Sequence, residues 1–117
     1  MLCLRTAIAE QTVEPGAAVV FDGAANRLAR RSGRLCRGVY EARFSGNVTG
    51  TVPVELTMYV GGEPLPETRA VSNVAGVQNL AIATAFRAYG GEGVTIVNTG
   101  DAAVTITDAS LLIGRVE

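Results

Sequence analysis

The stretch Val52-Pro53-Val54-Glu55-Leu56-Thr57-Met58-Tyr59-Val60 alternates without a miss. Val52, Val54, Leu56, Met58 and Val60 point one way, and Pro53, Glu55, Thr57 and Tyr59 the other. Gly61-Gly62-Glu63-Pro64-Leu65-Pro66 follows as a turn-rich segment, and extended-looking sequence then resumes. Period-two alternation bounded by Gly and Pro marks a strand of a half-buried antiparallel sheet.

Working outward, much of the chain reads the same way. Leu2 to Ala9 is extended, Glu14-Pro15-Gly16 is a turn, and Ala17 to Phe21 reads as a short second strand ended by Asp22-Gly23. Gly38 to Val48 places Tyr40, Ala42, Phe44 and Gly46 on one face and Val39, Glu41, Arg43 and Ser45 on the other. Arg69 to Val74 is short and Gln78 to Tyr89 long, and Gly90-Gly91-Glu92-Gly93 reads as a hairpin turn. Val94 to Asn98, a turn at Thr99-Gly100-Asp101, and Ala103 to Val116 complete the chain. Ala81 to Ala88 has helix-forming alanines, yet its Thr, aromatic content and flanking glycines favour strand. About eight to ten strands with short links predict an all-β antiparallel jelly-roll sandwich.

At 117 residues the expectation is one domain over 1–117. Hydrophobic residues make up 48% and charged ones 18%, much apolar surface for so small a chain. Part of it is expected in contacts between subunits. The Gln78–Tyr89 strand says where. Leu80, Ile82, Phe86 and Ala88 form one face, while Ala81, Ala83, Ala85 and Tyr89 form the other, with Arg87 its one charge. A strand apolar on both faces is covered on both. Leu2 and Leu4 near the start, and Leu111, Leu112 and Ile113 near the end, show a similar habit, and first and last strands of a jelly roll are typically neighbours. Leu2, Leu4, Ala81, Ala83, Ala85, Tyr89 and Leu112 are therefore the expected oligomer interface. A merely greasy outer surface is the plainer alternative.

Catalytic chemistry finds little footing. The chain has no His, and all ten cations are Arg. His-based serine and cysteine hydrolysis, His-ligated metals, Schiff-base lysines and the phosphate-loop lysine are excluded. Ser32, Ser45, Glu41 and Glu55 have no base or partner at an interpretable spacing, so no enzyme, metal or cofactor is expected. Cys3 and Cys36 lack metal-ligand spacing, and two buried thiols fit better than one disulfide. Asp22, Asp101 and Asp108 read as turn or strand-end acids, not calcium ligands. The start Met1-Leu2-Cys3-Leu4-Arg5 is unlike a secretion signal, and no apolar run is long enough to cross a bilayer. The expectation is a soluble chain made in a bacterial cytoplasm, with no membrane insertion. A net charge of −1 argues against nucleic acid.

Arg27, Arg30, Arg31, Arg34 and Arg37 crowd within eleven residues that hold no acid. Guanidinium groups suit carboxylate, phosphate or sulfate, so this is a possible anionic-ligand patch for an acidic surface glycan. Pairing with Glu10, Glu14 or Glu41 at a loop or seam is the favoured alternative.

Two stretches carry a family resemblance. They are Gly38-Val39-Tyr40-Glu41-Ala42-Arg43-Phe44-Ser45-Gly46-Asn47-Val48, continuing through Val54-Glu55-Leu56 to Gly62-Glu63-Pro64-Leu65-Pro66, and Thr105-Ile106-Thr107-Asp108-Ala109-Ser110-Leu111-Leu112-Ile113-Gly114-Arg115-Val116. Together they resemble short jelly-roll proteins of phages and prophages of gut Firmicutes, similar in turn to the trimeric TNF/C1q-like domain of spore-surface collagen-like glycoproteins. The resemblance implies a homotrimeric, non-enzymatic fibre or head-decoration module of a virion, partnered by itself and by other virion proteins or a cell-surface glycan. A carbohydrate-binding module is the alternative, although Tyr40, Tyr59 and Tyr89 are its only candidate platforms beside no Trp. A secreted TNF/C1q-like ligand is a third class, disfavoured by the start of the chain.

Overall fold

A computed structural model of the chain describes residues 2–21, 23–24 and 35–116. Among these residues the secondary structure is ten strands and one short 3-10 turn. The strands are β1 (Leu2–Ala7), β2 (Gln11–Val13), β3 (Gly23–Ala24), β4 (Gly38–Gly50), β5 (Val54–Val60), β6 (Glu63–Pro64), β7 (Ala70–Ser72), β8 (Gln78–Ala88), β9 (Val94–Asn98) and β10 (Val104–Arg115). All named pairings are antiparallel, as period-two sequence requires.

One sheet runs β3-β1-β10-β4-β8, with β2 also paired to β10. First and last long strands are thus neighbours, and the Ala-rich strand shares their sheet. β1 takes the Ala109–Gly114 part of β10 and β2 the Val104–Ile106 part, so the two lie end to end. Between them β10 slips register, and Asp108 adopts φ 51°, the left-handed conformation of a β-bulge. The second sheet centres on β5, flanked by β9 on one edge and by β7 and β6 on the other. Its strand begins at Val54 rather than Val52, because the chain bends over 51–53 before entering it. The Gly61-Gly62 turn joins β5 to β6 with φ 62° and 82°, values that glycine reaches without strain.

The inner faces meet in one apolar cluster. Tyr40, Ala42, Phe44, Val48, Leu80, Ile82, Ile106, Leu111 and Ile113 come from the first sheet, and Val54, Leu56, Met58, Val94 and Ile96 from the second. Tyr40 stacks on Phe86 with ring centroids 5.9 Å apart, and its hydroxyl donates to the Cys36 carbonyl at 2.7 Å. Phe21 meets Phe44 edge to face at 6.3 Å.

Three expectations need correcting. Gly90-Gly91-Glu92-Gly93 is not a hairpin turn: β8 pairs with β4 and β9 with β5, so the link crosses between sheets. Leu35 holds that crossing, its N–H donating to the Glu92 carbonyl and its carbonyl accepting from Gly91, both at 2.8 Å. Ala17 to Phe21 is not a strand but a single bridge from Ala18 to Val97, because the Gln11 side chain takes both backbone groups of Val20. Cys36 is a free, half-buried thiol rather than a buried one, while the Cys3 side chain lies outside the described residues.

Candidate functional site

Register places the expected interface residues on the outer face of the first sheet. In an antiparallel pair, opposed residues point to the same side. Leu4 opposes Leu112, Leu112 opposes Arg43, and Arg43 opposes Ala83. One step along, Thr6, Ser110, Ser45 and Ala81 make a second row; one step back, Gly114, Glu41 and Ala85 make a third, with the Leu2 backbone at its end. Ala81, Ala83 and Ala85 are exposed, Leu4 and Leu112 half-buried. Tyr89 follows directly on β8 and is 72% exposed. The structure thus gathers Leu4, Ala81, Ala83, Ala85 and Leu112 on one surface, with Tyr89 at its end.

The face is graded. Towards Tyr89 it continues through Val39 and Val116, whose N–H donates to the Val39 carbonyl at 2.8 Å. Towards the other end it turns polar, with Asn47 opposite Asn79 and Thr105 opposite both Thr49 and Thr12. The apolar half is shallowly dished. A hollow of about 430 Å³ lies against Leu4, Arg43, Ser45, Ala81, Ser110 and Leu112, and one of about 220 Å³ against Glu41, Arg43, Ala83 and Ala85. Alanine side chains end at Cβ, which leaves this relief between longer neighbours.

Sequence reading passed over Glu41 and Arg43 as members of this face. Their alternation was legible, since it sets both opposite Tyr40 and Ala42. What it lacked was the position of β4 between β10 and β8.

The second sheet presents a different outer surface. Arg69 Nε donates to Glu55 Oε1 at 2.7 Å, and the hydroxyls of Thr57 and Thr99 share a hydrogen bond of 2.9 Å. The Thr99 hydrogen bond, and then Arg69, hold the Glu55 carboxyl below its ordinary value despite partial burial. The outer face of the β5 sheet thus carries an ion pair and a hydroxyl pair, with Val71 opposite Glu55 and half-buried Tyr59 beside them.

Of the expected Arg patch, the described residues include Arg37 alone. Arg37 is exposed, whereas Arg27, Arg30, Arg31 and Arg34 lie outside them, as does Asp22. No group of three or more His, Cys, Asp or Glu is placed to hold a metal ion among the described residues. Nor do they contain a helix long and apolar enough to cross a membrane. Of the tyrosines, Tyr40 is buried in the core and Tyr59 half-buried, leaving Tyr89 as the one well-exposed ring among them.

No protein-family model and no curated protein matches the sequence. Solved structures do match the fold. The Eiger TNF of S. frugiperda superposes with a TM-score of 0.80 at 11% identity, covering 100% of this chain and 92% of that one. The globular domain of zebrafish complement 1qA gives 0.78 at 11% identity, covering 99% and 97%. A CBM36-1 domain of a multidomain xylanase, from the hindgut metagenome of Trinervitermes trinervoides, gives 0.51 at 12% identity, covering 93% and 99%. The chain has a TNF/C1q-like jelly-roll fold.

Proposed function

We propose that this chain is a non-enzymatic assembly module that packs against copies of itself as a homotrimer, one jelly-roll domain per chain. The observation that carries this reading is the contrast between the two outer faces. The β5 sheet ends in an ion pair and bonded hydroxyls, while the β8 sheet turns alanines, Leu4 and Leu112 outward around charges with no ion pair among the described residues. Exposed small and apolar side chains on a flat sheet are stabilised by a matching surface, and a second copy supplies one. Two standard patches of roughly 800 Å² each would cover about a quarter of the 6442 Å² surface.

The setting is a phage or prophage particle, as fibre or decoration module, with a surface-adsorption role at most. Support for it comes from the sequence resemblance, with which the fold agrees. Light scattering coupled to size exclusion tests the assembly: a trimer mass is expected, and a monomer overturns the reading.

Carbohydrate binding is the second reading, favoured by the likeness of fold to the CBM36-1 domain. A single exposed tyrosine speaks against a stacking platform. A glycan array that includes acidic polymers separates the two readings and tests the Arg27–Arg37 segment at the same time.

A further inference from the structure

Two opposite charges stand at the centre of the face proposed for self-association. Glu41 and Arg43 lie two residues apart on β4, so their side chains leave the same side of the sheet roughly 7 Å apart. Both are exposed. Their cross-strand neighbours are small or apolar, Gly114 and Ala85 beside Glu41 and Leu112 and Ala83 beside Arg43. Neither makes an ion pair among the described residues, where the ion pair present, Arg69–Glu55, belongs to the opposite sheet.

Resting on the self-association reading, we infer that Glu41 of each copy pairs with Arg43 of the next. Covering this face takes both groups out of water, and a buried charge left without a partner is strongly unfavourable. The adjacent charge on this face is Arg87, one step along β8 from Ala85, and it adds a cation rather than an acid. Glu41 and Arg43 of one copy make no ion pair with each other, and a second copy brings a complement in the correct ratio, one carboxylate and one guanidinium. Round a closed ring each copy gives one Arg43 and receives one, so every charge is answered. The hollow of about 220 Å³ beside Glu41, Arg43, Ala83 and Ala85 leaves room for the incoming side chain. Apolar contact around the pair supplies area, and the pair fixes the register in which two nearly featureless alanine faces meet.

Charge exchange tests this. Glu41→Arg and Arg43→Glu are each expected to weaken assembly by roughly tenfold or more, measured as the dissociation constant in sedimentation equilibrium. The double variant, with the charges swapped, is expected to return most of that loss, and an equimolar mixture of the two single variants to assemble better than either alone. Glu41→Gln and Arg43→Gln add no repulsion and are expected to weaken assembly as well; if they do not, repulsion alone explains the reversals and the pairing is overturned. Both positions are exposed, so far-UV circular dichroism should remain that of the parent. An oligomeric parent whose reversals assemble unchanged, or whose double variant is no better than the singles, overturns the pairing and leaves self-association standing. A monomeric parent overturns both.

Discussion

Leu4 and Leu112 oppose each other across the β1–β10 pair and turn the same way, half-exposed, on the outer face of their sheet. Two neighbouring leucines left partly in water by the chain's own fold contribute more once a second surface covers them. Leu112→Glu and, across Arg43, Ala83→Arg are expected to convert the oligomer to a monomer with its strand content intact. Light scattering and circular dichroism on the same samples check both halves of that outcome. Tyr59→Ala, on the opposite sheet, is expected to leave the oligomer unchanged.

Asn98 is fully buried at the end of β9, and every polar atom of its side chain is used. Its Nδ2 donates to the carbonyls of Val13 and Ala102, and its Oδ1 accepts from the Gly100 N–H, all at 2.9 Å. Val13 belongs to the first sheet and Asn98 to the second, so one side chain ties the sheets at that end. Asn98→Ala takes this partner from the carbonyls of Val13 and Ala102 and from the Gly100 N–H together. A loss of roughly 2–4 kcal/mol of folding stability is expected, read from a urea midpoint.

The strands that could be read in advance are those in which burial alone decides the pattern. Gly38–Gly50, Val54–Val60 and Gln78–Ala88 each bury one face of a pleat, and a period of two survives in the residue order. The two-sided apolar character of β8 was equally legible, because it needs no partner to be seen. The crossing after β8 was not: a Gly-Gly-Glu-Gly link serves a hairpin or a change of sheet equally well, and Leu35, distant in sequence, decides between them through two backbone hydrogen bonds. Asn98 looked like a residue preceding a turn, since its partners at Val13 and Ala102 exist only in the folded chain. Glu41 and Arg43 were visible as alternating outward residues, but their place amid the candidate interface follows from strand order, which alternation does not encode.

Gly46 lies on the inner face of β4 where no side chain fits freely. A Cβ built there would come within 3.1 Å of the Phe44 ring and 3.4 Å of both Ala109 and Ile106. Phe44 is buried and held edge-on by Phe21, so it has little room to yield. Gly46→Ala is expected to destabilise the fold by about 1–3 kcal/mol through overpacking, seen as a lower thermal midpoint. An unchanged midpoint would mean that the Phe44 ring relaxes at no cost.

Two carboxylates are held below their ordinary value by the fold. Glu92 accepts from the N–H groups of Tyr89 and Gly90, each at 2.7 Å, and these backbone bonds, Tyr89 first, hold its carboxyl below the ordinary 4.5. Glu55 is lowered from the same value, by Thr99 first and then by Arg69. A carboxyl whose folded value is depressed contributes stability at pH above its unfolded value, and that contribution is lost as the pH falls through the folded one. The chain has no His to titrate nearer neutrality. Stability measured by denaturant titration is therefore expected to be flat from pH 6 to 8 and to decline as the pH drops below about 4.5. Glu92→Gln removes one of the two ionisations, so it should lower stability at pH 7 and shallow the acid slope. Glu55→Gln should do the same through its own network. Because Glu92 closes the loop that carries Tyr89 away from β8, its loss should also speed amide exchange at Tyr89 and Gly90, and exchange rates like those of the parent would show that the loop is held without the carboxylate.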